Sequence, residues 1–472
     1  MANGNHGNHG SVGGAAASVK ASVVGVGAAA VTVRRDLEEM LGGGDDDNEN
    51  GGGGVVERAC RDVGHRWRRR LLTPALTVRL LLLQLLAKLA LAGLSAAGRV
   101  TASAQAIGKA RMRLPLAVWM RLVELSGGTS SSPSSSGADQ DRRWRGHRVF
   151  MADGMSFMTA DTRELSRRYG KGANQRGGSH SYPVPKLLAL LDRASGMITK
   201  VIALPHARQE HTCLGRLLAC LDRGDLVLGD RGLVSFAHLA MVLGAGVHAC
   251  MRLPSKLVVR GRGKGNRRRA RCLGKGDLLV TWRRRGAVKP AWMSRRRFDD
   301  LPESITLRQV AYRVHRPGFR VRWAWLVTTL IDAAAYPAAE LVELYGTRWH
   351  AEVCFRDLKS TLGMGRVLSA RTVAGVRKEV LAFVLLYNLV RRVMRDAAAA
   401  QGVDADRVSF ADAARWLLWS APGAPLPRLR VNPRRDDRPP HPRRLKRGRK
   451  KYPPLKGMRG RHTSRPTAVA LS

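Results

Sequence analysis

The sequence has few acidic residues and no closely spaced cysteines, and each shortage narrows what the protein can be. Asp and Glu together number 36 against 82 Lys and Arg, so the formal net charge is +46. A chain with this excess repels itself unless a polyanion neutralises it, and nucleic acid is the expected partner. The six cysteines include no Cys-x2-Cys pair, so neither a zinc ribbon nor a disulfide framework is indicated. We expect reduced thiols in a cytosolic compartment.

The sequence also lacks segments that would direct it into a membrane. Its first residues contain no basic stretch followed by an apolar one, so no secretory signal is predicted. The most apolar window, 71–93, contains Arg79, Gln84 and Lys88. These side chains are costly in lipid, so the window predicts a buried helix of a water-soluble domain and no membrane span. The expected location is the cytoplasm, at the nucleoid in a prokaryote.

A chain of 472 residues is long enough for about three domains, and its 44% hydrophobic content is enough for sizeable cores. Changes in composition along the chain indicate where the domains divide. Gly-rich and Arg/Pro-rich ends are expected to be disordered. A basic helical module near the start is interpreted as DNA-binding because of its charge, with a packing module as the alternative. The predicted divisions are a leader (1–54), a helical DNA-binding domain (55–126), a Gly/Ser linker (127–142), the first part of an α/β core (143–251), a β-rich insertion (252–328), the second part of the core (329–400), a C-terminal helical segment (401–431) and a basic tail (432–472).

Two aspartates follow predicted strands. Asp153 ends an extended run and precedes a turn glycine, and Asp230 ends the apolar strand that begins at Leu226. Between them, runs at 183–191 and 197–204 predict an antiparallel hairpin. Three antiparallel strands, a helix, a fourth strand and a late long helix form the element order of a ribonuclease H-like fold. In that order the two aspartates lie on neighbouring strands.

The stretch from Tyr345 to Lys359 places four polar residues on one face of a predicted helix. At about 100° per residue, Tyr345, Arg348, Glu352 and Lys359 fall within about 60° of one another. A solvated charged face is the alternative interpretation. A carboxylate set between a guanidinium and an ammonium is nevertheless suited to binding phosphate and metal.

Asp153, Asp230 and Glu352 are therefore predicted to converge. Three carboxylates repel one another unless a divalent cation is bound, and oxygen-only ligands favour Mg²⁺ or Mn²⁺. Two such ions can activate a water or a 3′-hydroxyl and stabilise the leaving oxygen of a phosphodiester. The predicted chemistry is phosphoryl transfer.

At these residues the sequence resembles the insertion-sequence-four family of DDE transposases, whose signature is Tyr-x2-Arg-x3-Glu-x6-Lys. Tyr345, Arg348, Glu352 and Lys359 match it without a gap. Asp153-Gly154 and the segment 229–232 resemble the family's two aspartate motifs, and the β-rich insertion also matches. The similarity extends from Val55 to Leu389.

The resemblance implies a role for each matching residue. Asp153, Asp230 and Glu352 would be the metal-binding catalytic triad, with two Mg²⁺ ions for which Mn²⁺ can substitute. Tyr345, Arg348 and Lys359 would hold phosphates of the transposon end. Those six positions carry the implied active site.

The resemblance also implies a reaction and partners. Family members act as a synaptic homodimer on double-stranded DNA, namely the terminal inverted repeats and the target. Hydrolysis frees a 3′-hydroxyl that forms a hairpin end, which is later reopened and joined to the target. Trp325 matches the aromatic that stacks on a flipped base; Trp323 is a second candidate, and a core position is the alternative for either.

Several features depart from this pattern or leave alternatives open. Met155 and Leu233 stand where relatives often have Thr and an aromatic residue. His206 and His211 flank Glu210, but without a third ligand at a familiar spacing they are interpreted as surface residues. The alternative functions are a catalytically inactive DNA-binding protein and a host nuclease on the same fold.

Overall fold

The computed structural model describes residues 54–68, 70–96, 101–127, 143–172, 178, 180–259, 270–314, 322–419 and 425–432. The predicted disordered leader and basic tail lie almost entirely outside these residues, as does most of the predicted linker. The predicted α/β class is confirmed, because helices pack on both faces of a large mixed sheet.

The described part of 55–126 is helical. Its helices are α1 (Val55–Asp62), α2 (Pro74–Leu86), α3 (Leu91–Ala96), α4 (Ala104–Arg113) and α5 (Leu116–Ser126). Helix α2 begins where the Thr73 hydroxyl accepts a hydrogen bond from the Leu76 N–H and Pro74 occupies the first turn. It is buried on nearly all sides, which confirms the buried helix predicted in 71–93.

Strands and short helices alternate after the gap at 128–142. They are β1 (Val149–Ser156), β2 (Met158–Thr159), α6 (Arg163–Tyr169), β3 (Lys186–Asp192), β4 (Ile198–Leu204), α7 (Leu214–Leu218), β5 (Leu226–Gly229), α8 (Phe236–Gly244), β6 (His248–Arg252), β7 (Ala270–Gly274), β8 (Asp277–Arg283), α9 (Arg295–Asp299), β9 (Ser304–Val314) and β10 (Arg322–Thr328).

Helices dominate the remainder. They are α10 (Ala338–Gly346), α11 (Trp349–Arg356), a π-helical turn (Asp357–Thr361), α12 (Val373–Gln401) and α13 (Phe410–Trp419), with the short strand β11 (Val367–Leu368) between the π-helical turn and α12. The described residues contain no helix that is both long enough and apolar enough to cross a membrane.

Nine of the strands form one sheet in the order β4-β3-β1-β5-β6-β10-β9-β8-β7, and β2 pairs separately with β11. Strand β3 is antiparallel to its neighbours β1 and β4, whereas β5 is parallel to its neighbours β1 and β6. The predicted hairpin between β3 and β4 is confirmed; Gly196 has φ 68°, and the Asp192 carboxylate accepts from the Ser195 N–H and hydroxyl.

The strands of 270–328 extend this sheet, because β10 pairs with β6. The buried Arg308 guanidinium on β9 forms two hydrogen bonds to the Asp277 carboxylate on β8, at 2.8 and 2.5 Å. The same guanidinium donates to the carbonyls of Asp332 and Tyr336. The segment that leads into α10 is thereby attached to the sheet.

The sheet separates two apolar clusters. One contains α2, α5 and α12, and the other contains α7 and α8. Helix α12 is held to α4 by polar contacts, since Lys378 donates to the Met112 carbonyl at 2.6 Å and Arg111 lies 3.5 Å from Glu379. The N-terminal helices therefore pack directly on the core, and the domain boundaries given above stay predictions.

Candidate active site

The register of the sheet brings the two predicted aspartates side by side. Strands β1 and β5 are parallel neighbours in which Ala152 pairs with Gly229. Asp153 is the next residue of β1, and Asp230 directly follows the last residue of β5. The prediction that Asp153 ends its strand before a turn glycine is wrong, because pairing with β3 continues β1 through Gly154 to Ser156. The prediction that the two aspartates lie on neighbouring strands is confirmed.

Five of the sequence-predicted residues line one cavity of about 510 Å³. Its wall consists of Asp153, Gly154, Met155, Asp230, Arg348, Glu352, Phe355, Arg356, Lys359 and Ser360. Strands supply the aspartates, and α11 with the adjoining helical residues supplies Arg348, Glu352 and Lys359.

Arg348 links the first aspartate to the glutamate. One guanidinium nitrogen lies 2.8 Å from Asp153 Oδ2 and another lies 2.9 Å from Glu352 Oε1. Burial would lower the pKa of Arg348, but Tyr345 and Asp153 raise it and the net pKa is above its usual value. The guanidinium stays charged at any ordinary pH, so it forms an ion pair with each of the two carboxylates.

The pKa of the Asp153 carboxyl group is set by burial and by the groups around it. Burial raises the pKa of Asp153 above its usual value, and Asp230 raises it further, while the Gly154 N–H and Arg348 partly offset these effects. The Gly154 N–H donates to Asp153 Oδ1 at 2.9 Å. A half-buried carboxyl group of this kind gains most from a nearby cation.

The donor chemistry of the cavity fits Mg²⁺ or Mn²⁺, because the acidic side chains offer only oxygen atoms. In this conformation, however, the described residues contain no group of three or more His, Cys, Asp or Glu side chains close enough to hold an ion. The physical reason is Arg348, whose guanidinium lies between Asp153 and Glu352.

The single helix predicted through Tyr345 and Lys359 is wrong. Helix α10 ends at Gly346, α11 begins at Trp349, and the turn that contains Lys359 is π-helical. A constant 100° per residue does not hold across these changes. Arg348, Glu352 and Lys359 still line the cavity together, whereas Tyr345 does not.

Tyr345 is buried and is not among the residues that line the cavity. It is 8% exposed, and its hydroxyl donates to the Gly229 carbonyl at 3.4 Å. Burial raises the pKa of Tyr345 well above its usual value. The contact supports the backbone immediately before Asp230 and offers no open surface to a phosphate.

The two tryptophans of β10 lie outside the cavity wall. Trp325 is half-buried and packs against the apolar cluster that contains α7 and α8. Trp323 is 64% exposed, and the Arg313 guanidinium lies 5.5 Å from its ring centre. The exposed ring is therefore Trp323.

Sequence reasoning missed Arg356 and Ser360 in the cavity wall. Arg356 stands four residues after Glu352, so helical spacing alone could have indicated a shared face. Its side chain is 60% exposed and lies 3.5 Å from Asp357. Ser360 belongs to the π-helical turn, which carries no sequence signal that we recognise.

The histidines near Glu210 lie apart from the cavity wall. His206 is within 3.2 Å of the Val184 carbonyl, and the His211 ring lies edge-on to His238 at 5.5 Å. Burial lowers the pKa of His238 to about 4. These contacts are those of packed side chains.

The sequence is similar to those of known transposases. The family model "Transposase DDE domain" matches residues 144–389. "Transposase InsG for insertion sequence element IS4" of Escherichia coli (strain K12) is 26% identical over 278 residues, which are 58% of this chain and 59% of that protein. "Putative transposase InsZ" of the same organism is 28% identical over 88 residues, 19% of this chain and 29% of that protein. The match thus spans less than two thirds of either relative.

Among solved structures, the cryo-EM structure of the piggyBac transposase synaptic complex with hairpin DNA aligns with 77% of this chain and 75% of that chain. The TM-score is 0.40 and the sequence identity is 10%. The family match covers more than half of the sequence and contains all three predicted carboxylates. The chain therefore belongs to the family of proteins with a transposase DDE domain.

Proposed function

We propose that the protein is a divalent-metal-dependent DNA transposase that cuts the ends of an insertion sequence and joins them to target DNA. The observation that supports this most directly is the cavity of about 510 Å³ that Asp153, Asp230 and Glu352 share with Arg348 and Lys359. Hydrolysis and transesterification of a phosphodiester need acidic metal ligands beside cations that hold phosphate.

We further propose that the catalytic core is ribonuclease H-like. The support is the strand order β4-β3-β1-β5-β6, with an antiparallel trio followed by two parallel strands. The pairing of Ala152 on β1 with Gly229 on β5, next to Asp153 and Asp230, supports this proposal, as does the presence of Glu352 of α11 in the same cavity wall. The strands of 270–328 would be an insertion that enlarges the sheet.

In this proposal Asp153, Asp230 and Glu352 hold Mg²⁺, with Mn²⁺ as a substitute and two ions in the complete site. When bound, the metal activates the attacking oxygen and stabilises the leaving one. Arg348 holds the Asp153 and Glu352 carboxylates close together, and it exchanges these partners for DNA phosphate when a metal ion neutralises the carboxylates.

The other cavity residues have supporting parts. Lys359 and the exposed Arg356 guanidinium bind backbone phosphates on either side of the bond that is cut. Tyr345 acts as a positioning residue, because its hydroxyl holds the Gly229 carbonyl next to Asp230. A direct phosphate contact by Tyr345, which the signature implies, would need the ring to leave its buried site.

The DNA partners in this proposal are the terminal inverted repeats and the target, bound by a homodimer. The helical module of 55–126 contacts the ends, and a hairpin end is the intermediate between excision and strand transfer. Trp325 is the candidate for stacking on a base displaced from that hairpin, and the more exposed Trp323 is the alternative on the same strand.

The test is cleavage of linear DNA that carries the element's own terminal repeats, with Mg²⁺ present. Asp230→Asn is expected to abolish nicks and hairpins while DNA binding is retained, because one metal ligand loses its charge. Asp300→Asn is the matched control, since Asp300 is exposed and lies outside the cavity wall.

Three outcomes would overturn parts of the proposal. Equal cleavage by Asp230→Asn and wild type contradicts the catalytic assignment. DNA binding without cleavage by the wild type supports an inactive DNA-binding protein. Nicks that never lead to hairpins or joined products support a nuclease on the same fold.

A further inference from the structure

A second site of concentrated charge lies on the N-terminal helical module, and it shares no lining residue with the active-site cavity. The segment between α1 and α2 and the end of α4 enclose a cavity of about 370 Å³. We call it the arginine cleft. Its defining residues are His65, Arg66, Trp67, Arg68, Arg70 and Arg113.

The guanidiniums of the arginine cleft lack acidic partners in the part of the chain that the structure describes. Arg66, Arg68, Arg70 and Arg113 are all exposed, and none forms an ion pair there. Elsewhere in the same module Arg121 pairs with Asp62 at 2.7 Å. The contrast indicates that these four charges are available to an anionic partner.

The arginine cleft also offers aromatic surface. The rings of His65 and Trp67 stack with their centres 6.2 Å apart and their planes 24° apart. Arginines interleaved with aromatic rings suit an elongated polyanion better than a small ion, because charges are spread along several residues. Under the proposed function, DNA is such a polyanion.

The chain itself carries a second polyanion. Residues 1–53 contain seven acidic and three basic residues, in a protein that otherwise has a large basic excess. Four of the acids, Asp45, Asp46, Asp47 and Glu49, form a run bordered by glycines at 42–44 and 51–54. This acidic run is complementary in charge to the arginine cleft.

The acidic run is attached close to the arginine cleft. The described chain begins at Gly54, and α1 ends at Asp62, three residues before His65. Helix α1 spans about 12 Å at 1.5 Å per residue. The seven residues that follow Asp47, 48–54, can extend over about 23 Å, and a flexible glycine-rich chain of this length would have a typical span of about 15 Å. Both lengths exceed that of α1, so the acidic run can reach the end of α1 that leads into the arginine cleft, which favours intramolecular binding.

We propose that the acidic run at 45–49 binds the arginine cleft and competes there with DNA. The carboxylates take the positions of backbone phosphates, and DNA displaces them when it binds with more contacts. The competing role rests on the proposed function, whereas the contact between the run and the cleft does not. A run that occupies the cleft for about nine-tenths of the time weakens the apparent DNA affinity about tenfold.

Proximity is tested first on the full-length protein without DNA. A benzoylphenylalanine photo-crosslinker replaces Asn48, which lies within the acidic run but carries no charge. The expected crosslinks fall on the tryptic peptides that surround His65 to Arg70, and high salt reduces their yield. The same crosslinker at Asn5 is the control. Crosslinks at other surfaces, or equal yields from Asn5 and Asn48, overturn the proposal.

Competition is then tested by binding of full-length variants to random-sequence duplex DNA. Asp45→Asn/Asp46→Asn/Asp47→Asn is expected to tighten binding about tenfold. Asp36→Asn/Glu38→Gln/Glu39→Gln removes the same charge from another part of the leader and is expected to change it much less. In the background Arg66→Gln/Arg68→Gln/Arg70→Gln, neutralising the run should have little effect.

The outcomes separate this inference from the proposed function. Equal effects of the two acidic triples, or an undiminished effect in the arginine background, overturn the competition. Crosslinking at the arginine cleft remains diagnostic even if the protein proves unable to cleave DNA. Conversely, a cleaving enzyme with no crosslink from Asn48 retains the proposed function and loses the inference.

Discussion

The active-site cavity and the arginine cleft contain the same kinds of charged side chain in opposite arrangements. In the cavity, one guanidinium holds two carboxylates, through Arg348 contacts of 2.8 and 2.9 Å to Asp153 and Glu352. In the arginine cleft, four guanidiniums have no carboxylate partner among the described residues. The first arrangement is prepared for a small cation and the second for a long anion.

The two regions also differ in how their geometry is fixed. The cavity residues come from β1, β5 and α11, which are elements packed in the core, so their spacing is set before any ligand binds. The arginine cleft is built largely from the segment between α1 and α2, whose described residues form no helix or strand. Such a segment can adapt to an irregular partner, whereas a catalytic site cannot tolerate displacements of that size.

The largest effect is expected from a substitution that removes a charge from the active-site cavity and leaves the arginine cleft unchanged. Glu352→Gln should lower the cleavage rate by about a thousandfold or more, because a ligand charge worth several kcal/mol is lost. DNA affinity should change little. Glu343→Gln on α10, where the side chain is exposed, is the control. A parallel loss of DNA binding would contradict a purely catalytic role.

The reverse change removes charge from the arginine cleft. Arg66→Gln/Arg68→Gln/Arg70→Gln should weaken binding to duplex DNA about tenfold and reduce the slope of log K against log salt by up to about 2.7. Cleavage at saturating DNA should persist. The exposed triple Arg283→Gln/Arg285→Gln/Arg296→Gln removes equal charge from the insertion. Equal losses in both variants would show that net charge, and not the arginine cleft, sets the affinity.

A smaller effect concerns the stability of the cavity. Arg348→Ala leaves Asp153 half-buried without its cation, so the free energy of unfolding should fall by about 1–3 kcal/mol in metal-free buffer. Added Mg²⁺ should restore part of it. Arg356→Ala, which removes an exposed cation, should cost about 1 kcal/mol or less. Denaturant titrations with and without Mg²⁺ measure both; a metal-independent loss would contradict the cation-holding role.

The loss from Arg348→Ala should also depend on pH. Burial already raises the pKa of Asp153 above its usual value of 3.8. An acid whose pKa is raised by folding contributes stability below its unfolded pKa and loses it as the pH rises through the folded pKa. The variant should therefore be closest to wild type in stability below about pH 4 and furthest from it near neutrality.

The smallest expected effect tests whether Tyr345 supports the backbone beside Asp230 or contacts DNA phosphate. Tyr345→Phe removes one hydroxyl that contacts the Gly229 carbonyl at 3.4 Å. The free energy of unfolding should fall by about 1 kcal/mol or less, and the cleavage rate should change less than about fivefold. If the variant instead weakened DNA binding as much as Lys359→Ala, a direct phosphate contact would be the better description.

The strands that bring the two aspartates together were predictable because they depend on local patterns. Apolar runs that lead to Asp153 and Asp230, with turn residues at 192–196, predict strands, although β1 continues past Asp153 to Ser156 because it pairs with β3. The adjacency of the two acids then follows from the order in which the strands pair. Three of the four signature residues line the cavity for a similar reason, since they are near one another along the chain.

The remaining features depend on packing between distant residues. The π-helical turn at 357–361 contains the buried Asp357 and Leu358, and no glycine or proline marks it. The helix is interrupted between α10 and α11, so Tyr345 lies in the core while Arg348 and Glu352 line the cavity. Constant helical spacing does not predict this difference. Arg348 pairs with Asp153 across 195 positions of sequence. The arginine cleft likewise needs Arg113, which only tertiary packing brings to the segment after α1.

The continuous sheet has a final consequence for the tryptophans of β10. Gly229, Met251 and Val327 lie in one row across β5, β6 and β10, so the row next to Asp230 reaches β10 after two strand spacings, about 10 Å. The pairing of β5 with β6 and of β6 with β10 therefore fixes the distance between Asp230 and Trp325. Inserting one residue in β10 would turn Trp325 to the opposite face, whereas inserting two would keep the face and move the ring by about 7 Å.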